Sequence, residues 1–254
     1  MSVSRYALSV WWRNAAMYRR TWKLNILPNF FEPILYLLSI GIGVGAYVSQ
    51  MGGTSYVAFL APGLVAVAAM NGASFEVTYN AFVRMNFEKT YASMLTTPIQ
   101  PDDVLAGEVL WAVTRSAIYG SCFYVVVAAA GLAPLPASLW ALPLIPLTGL
   151  LFAALGIAFS LRIPNIDLFS FYFTLFLTPL FLFSDVFFPL AERLPGWGLR
   201  VAEVLPLLHP VRLMRAAFRG EFAPILLWDL AYIAALSAAL LVLAARVTRR
   251  RLGE

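Results

Sequence analysis

Six long apolar blocks dominate the chain, at Phe30–Tyr47, Tyr56–Tyr79, Val109–Leu132, Leu139–Leu161, Leu168–Phe188 and Pro224–Ala245. Each holds about 18–24 residues, and a helix rising about 1.5 Å per residue needs about 20 to cross a bilayer core. In lipid a lone segment must satisfy its own backbone, which a helix does. The two-residue alternation of a membrane barrel is absent. The expectation is an all-α integral membrane protein with six transmembrane helices, a single transmembrane domain over residues 1–254. Composition agrees: 61% of residues are hydrophobic and 12% charged, whereas soluble domains are about half apolar and a quarter charged. Blocks this apolar set aside nucleic-acid binding as the reason for the net charge of +5.

Lysine and arginine set the orientation. Arg5, Arg13, Arg19, Arg20 and Lys23 precede the first block, Arg84 and Lys89 follow the second, Arg162 follows the fourth, and Arg246, Arg249, Arg250 and Arg251 close the chain. The connections Val48–Ser55 and Ala133–Ser138 carry none. Both termini are therefore expected in the cytoplasm. Residues 1–27 read as an interfacial helix, with Tyr6, Trp11 and Tyr18 among the arginines. No uninterrupted apolar core precedes Pro28, so a cleavable signal is not expected.

One segment breaks the charge rule. Pro189–Ala223, on the outer side, holds Arg193, Arg200, Arg212, Arg215 and Arg219 amid Leu, Val, Phe and Trp. It reads as two short helices, near Gly198–Leu205 and Pro210–Phe218, broken by Pro206 and Pro210. Such a pair enters the outer leaflet and returns, or lies flat on the outer surface.

The stretch Phe82–Glu108 interrupts the apolar pattern on the cytoplasmic side. Helix-forming residues run from Phe82 to Leu95, Pro98 and Pro101 stop them, and Asp102 or Asp103 is placed to cap the next helix. Arg84, Glu88, Lys89, Tyr91 and Met94 mix charge, an aromatic and a thioether, a surface suited to docking on another protein or to a plain solvated connector. Gly41, Gly43 and Gly45 are not a phosphate loop, because no Lys-Ser/Thr follows them; they suit close helix approach or a kink. The chain therefore offers no ATP-hydrolysing loop of its own.

Polar groups within the blocks are Asn71, Glu76, Glu108, Arg115, Asp185 and Asp229. Glu108 and Arg115 are expected to pair inside the membrane. His209, between Leu208 and Pro210, reads as a turn or packing residue rather than a metal ligand, and Cys122 as a small buried apolar group. The fifth block is rich in aromatics, including Phe169, Tyr172, Phe173 and Phe176, which suit lipid-facing bulk or the wall of a path for a sugar or acyl chain.

The segments Tyr56–Met85, Thr90–Ala112, FFPLAERLP at Phe187–Pro195 and LPLLHPVRLMR at Leu205–Arg215 resemble the permease subunit of ABC-2-type exporters, in particular the nodulation protein J group. The resemblance covers almost the whole chain in the same order. It implies a homodimeric permease with two copies of a separate ATPase, which binds the ATP and Mg; no cofactor is expected in this chain. It makes residues 84–97 a coupling helix, with Arg84, Glu88, Lys89, Tyr91 and Met94 as ATPase contacts. It implies a conduit between the first and fifth spans of two copies, with Tyr36, Phe169, Tyr172, Phe173 and Phe176 as candidates. It makes residues 189–220 re-entrant helices at the exit. The implied role is export, across a bacterial inner membrane, of a lipid-linked glycan, lipo-oligosaccharide or hydrophobic drug. A membrane-embedded enzyme would instead need convergent carboxylates, and Glu76, Glu108 and Asp185 are the material for them. A secondary transporter or channel would need inverted repeats, which the chain does not display.

Overall fold

The computed structural model describes residues 3–45, 47–48, 50–51 and 53–252, with the backbone alone for Leu24, Pro28, Arg251 and Leu252. Helix α1 (Tyr6–Ser39) ends in a widened π segment at Ile40–Val44. A two-residue hairpin, β1 (Gln50–Met51) with β2 (Thr54–Ser55), leads into α2 (Tyr56–Phe87), whose first residue is preceded by the Ser55 cap accepting from Ala58 N at 3.3 Å. Then come α3 (Thr90–Leu95), α4 (Pro101–Ala129), α5 (Ala141–Ser160) and α6 (Ile166–Phe183). Short helices α7 (Leu190–Arg193), α8 (Gly196–Ala202) and α9 (Leu208–Arg219) precede the long α10 (Ile225–Leu252). Among the described residues six helices are long and apolar enough to cross a bilayer.

Helix α2 is the centre of the bundle: 78% of its most apolar stretch is buried, against 22–24% for the spans of α1, α6 and α10. It packs on α4, α5 and α9, and α4 packs in turn on α1, α5 and α10. Lipid offers no hydrophobic drive between helices, so small residues that let backbones approach decide these contacts. A Cβ on Gly149 of α5 would stand 2.4 Å from Ser116 Cβ of α4. A Cβ on Gly107 of α4 would stand 2.5 Å from Val10 Cβ of α1.

Three boundaries differ from the sequence expectation. The interfacial segment does not end near Pro28; α1 runs unbroken from Tyr6 to Ser39. The second and third spans extend past Tyr79 and begin before Val109, reaching Phe87 and starting at Pro101. Their charged residues are neutralised by one another, so the helices continue where isolated charges would have stopped them. The cap of α4 is Gln100, whose N–H donates to Asp103 Oδ2 at 3.0 Å in a reciprocal box, with Pro101 at the first helical position. Finally, within residues 189–220 the two expected helices are present as α8 and α9, each starting two residues early, with α7 as a third; Pro210 lies in the first turn of α9, where a missing N–H costs nothing.

Described residues near both termini gather at the start of α4. Ser4 N donates to Asp103 Oδ1 at 2.7 Å, and Arg249 donates to both oxygens of Asp102 at 2.9 and 2.5 Å. The starts of α1 and α4 and the end of α10 therefore lie at one end of the bundle.

Candidate functional site

Helix α3 is a six-residue foot between two long helices. Lys89 turns the chain into it with a φ of 55°, and Pro98 follows it. Glu88 and Lys89 are exposed and Met94 is half-buried. Arg13 of α1 approaches the foot, with Nη2 3.8 Å from Glu88 Oε2 and 3.3 Å from Thr90 Oγ1.

Behind the foot lies a buried charge cluster. Arg84 donates from Nε to Glu108 Oε1 at 3.2 Å and from Nη2 to Glu108 Oε2 at 2.5 Å. Its Nη1 lies 2.8 Å from Glu76 Oε1. Glu76 Oε2 accepts from Asn80 Nδ2 at 2.9 Å and faces Arg115 Nε at 3.4 Å. Asn14 of α1 donates to Glu108 Oε1 at 3.2 Å. Arg115 stacks 4.5 Å from the ring centre of Tyr18 and donates to Tyr119 Oη at 3.2 Å. Two carboxylates and two guanidiniums give a formally neutral set, which lowers the cost of burying each charge.

Two π segments of α2 make this possible. They cover Glu76–Asn80 and Val83–Phe87. In a regular α-helix, residues eight apart stand roughly 80° around the axis from each other. Wider i→i+5 turns reduce that offset, and both Glu76 and Arg84 face α4. The expected pair of Glu108 with Arg115 is not formed: among the described residues Glu108 pairs with Arg84, and Arg115 with Glu76.

Tyr91 is not an exposed docking residue. Its side chain is buried beside Glu108 and Arg84. Burial pushes the phenol well above its ordinary value; the Glu108 charge adds to this and Arg84 opposes it. Arg84 likewise belongs to the cluster, with 13% of its side chain exposed. Of the five expected contact residues, Glu88, Lys89 and Met94 remain open to a partner.

The conduit candidates divide. Tyr36 and Phe173 line a cleft of about 200 Å³ with Glu32, Asn71 and Phe181. Phe176 lines an apolar groove on α5 and α6. Phe169 is wholly buried between Tyr79 and Phe82, each with ring centres 5.3 Å away. Tyr172 is also buried, its hydroxyl 3.5 Å from Ser74 Oγ and its ring 5.0 Å from Phe159. Phe169 thus holds α6 to the bundle, while Tyr172 does so and also lines the groove beside Phe176.

At the opposite end, α8, α9 and α10 share a second polar cluster. His209 Nδ1 lies 2.7 Å from Asp229 Oδ1, its Nε2 lies 3.0 Å from the Glu203 carbonyl, and its ring stacks on Tyr232. Arg212 joins Asp229 at 3.2 Å and the Glu203 carboxylate. Glu203, His209 and Asp229 offer three ligand atoms within 4.8 Å of one another. The guanidinium of Arg212 already bridges the two carboxylates, so the place a metal would take holds a cation. His209 thus packs, as expected, but as part of a hydrogen-bonded set.

Residues 6–218 match the family model described as ABC-2 type transporter. The chain belongs to the ABC-2 type transporter family. Among similar proteins, Nodulation protein J of Rhizobium leguminosarum bv. viciae is 39% identical over 214 residues, 84% of this chain and 82% of that one. Nodulation protein J of Rhizobium meliloti (strain 1021) is 36% identical over 84% of this chain and 81% of that one. The Inner membrane transport permease YadH of Escherichia coli (strain K12) is 28% identical, with coverage of 84% and 81%.

This ABC-2 type permease is thus a membrane transport subunit of six spanning helices. Sequence reading missed Asn14, Tyr18 and Asn80 as members of its charge cluster. Asn14 did carry a signal: with Ala7 and Val10 it falls on one helical face, and all three are buried. An asparagine on that face needs a partner, and Glu108 supplies it.

Proposed function

We propose that this chain is the membrane half of an ATP-driven exporter, working as a homodimer with two copies of a separate ATPase that binds ATP and Mg. Its termini and α3 face the cytoplasm of a bacterium, and α3 with its flanks, residues 84–97, is the coupling helix. ATP-driven closure of the ATPase pair displaces α3, and the displacement passes through the Arg84 cluster to α1, α2 and α4 together. One observation carries this reading: a short foot with exposed Glu88 and Lys89 is backed by charged bonds to three long helices. A hanging connector would need no such anchoring. The cargo is an amphipathic molecule such as a lipid-linked glycan, a lipo-oligosaccharide or a hydrophobic drug. Weakly buried faces of α1 and α6, with the cleft at Tyr36 and Phe173, suit a conduit completed by a second copy. Helices α7 to α9 then close its outer end.

The test is a Glu88→Ala, Lys89→Ala double variant of the full chain, co-expressed with a candidate ATPase subunit that co-purifies with the wild-type chain. The variant is expected to fold, yet to lose co-purification of the ATPase or cargo-stimulated ATP hydrolysis. Unchanged co-purification together with unchanged stimulation would remove α3 as the coupling element.

A further inference from the structure

The arginines that break the charge rule are not all balanced by the protein. Arg212 is matched by Glu203 and Asp229. Arg215 and Arg219, one turn apart on α9, instead share the wall of a cavity of about 460 Å³, at the end of the bundle opposite α3. The rest of that wall is mainly apolar, with Phe59, Leu135 and Phe218.

Arg215 is under-compensated. Its guanidinium lies 3.8 Å from the Phe59 ring centre, and 11% of the side chain is exposed. The one carboxylate near it, on Asp185, comes no closer than 3.5 Å. The other oxygen of Asp185 is taken by Leu190 N at 2.8 Å. Arg215 Nη2 is held by the Asp185 carbonyl at 2.5 Å, while Nε is buried without a hydrogen-bond partner among the described residues. Burial and the neighbouring charge of Arg219 hold the guanidinium down at about 10, and Asp185 only partly offsets them. Among the described residues no carboxylate pairs with Arg219, and the exposed Glu221 at the cavity pairs with neither arginine.

We propose that this cavity binds the phosphate headgroup of an anionic membrane lipid, with Arg215 and Arg219 on the phosphate and Phe59, Leu135 and Phe218 against the glycerol and first methylenes. An anion there supplies the unpaired Arg219 with a counter-charge and relieves the repulsion between the two cations. Guanidinium forks match phosphate oxygens, and the cavity volume falls in the usual range for a small-molecule site, about 300–1,000 Å³. The same geometry accounts for Arg215 and Arg219 at this end of the bundle. Under the orientation proposed above the lipid belongs to the outer leaflet; the binding itself depends neither on that orientation nor on transport.

The full chain is purified in neutral detergent, delipidated, and titrated with dihexanoyl phosphatidylglycerol, dihexanoyl phosphatidylcholine or inorganic phosphate, with thermal stabilisation as the readout. Phosphatidylglycerol is expected to bind most tightly. Arg219→Gln is expected to weaken it roughly tenfold, and Arg193→Gln, at an exposed residue outside the cavity wall, to leave it unchanged. Leu135→Trp, which fills the cavity while leaving both arginines in the chain, is expected to weaken the lipid as well. Equal response of the Arg219 and Arg193 variants, or of the two lipids, would overturn the site. Equal stabilisation by inorganic phosphate would overturn the lipid as its occupant.

Discussion

Arg84 grips both carboxylate oxygens of Glu108 across 24 residues of sequence, from Nε at 3.2 Å and Nη2 at 2.5 Å. The contact joins the last turns of α2 to the second turn of α4, directly behind α3. Glu108 is 1% exposed, so water contributes little to its solvation and the protein supplies nearly all of it.

Removing one partner leaves the other buried and unpaired. Glu108→Gln is expected to destabilise the chain by about 3–5 kcal/mol. Combining it with Arg84→Gln should cost less than the sum of the two, with a coupling of about 0.5–3 kcal/mol. Denaturant titration of the single and double variants in detergent measures both. Additive costs would show that the pair is not a unit.

Gly107 is one close approach of α4 to α1. Any side chain there meets Val10 Cβ and the Ala7 carbonyl, at 2.5 and 2.7 Å from its Cβ. Gly107→Val is expected to cost about 1–3 kcal/mol through overpacking. It should also loosen the first turns of α1, seen as faster trypsin cleavage at Arg13 and Arg19. Wild-type cleavage rates in that variant would mean that α1 is held elsewhere.

Phe169 and Phe173 test the division between core and cleft. Phe169→Ala empties a fully buried site and is expected to cost about 3–5 kcal/mol. Phe173→Ala opens a cleft that already exists, so its main effect should be on which cargo stimulates ATP hydrolysis. Stability curves and a cargo panel separate the two. A Phe169 variant of normal stability would return that residue to the conduit.

Tyr91 gives a pH signature. Its phenol stays neutral in the folded chain above the ordinary value of 10.0, where an unfolded tyrosine ionises. Above pH 10 the unfolded state therefore binds fewer protons, and stability falls as pH rises. Below pH 10 this residue adds no pH dependence. Tyr91→Phe should flatten the stability profile above pH 10, measured by thermal melts across that range. An unchanged slope would place the hydroxyl in water.

The outcome for each element follows its physics. The lengths of six apolar blocks and the need to satisfy every backbone group in lipid determined a helical membrane bundle, and lysine and arginine placement set the expected topology. Local boundary signals were weaker guides: the interfacial helix was expected to end at residue 27, yet α1 runs on to Ser39, whereas the helix expected from Pro210 starts only two residues before it. The partners of the buried charges were not legible, because Glu76, Arg84, Glu108 and Arg115 have equal electrostatic claims on one another along the chain. Helix packing decided among them. Two π segments turned Glu76 and Arg84 to one face of α2, and that face met Glu108 and Arg115 on α4. A one-dimensional pattern records how apolar a segment is, but a charge pairs with whatever the neighbouring helix brings within about 4 Å.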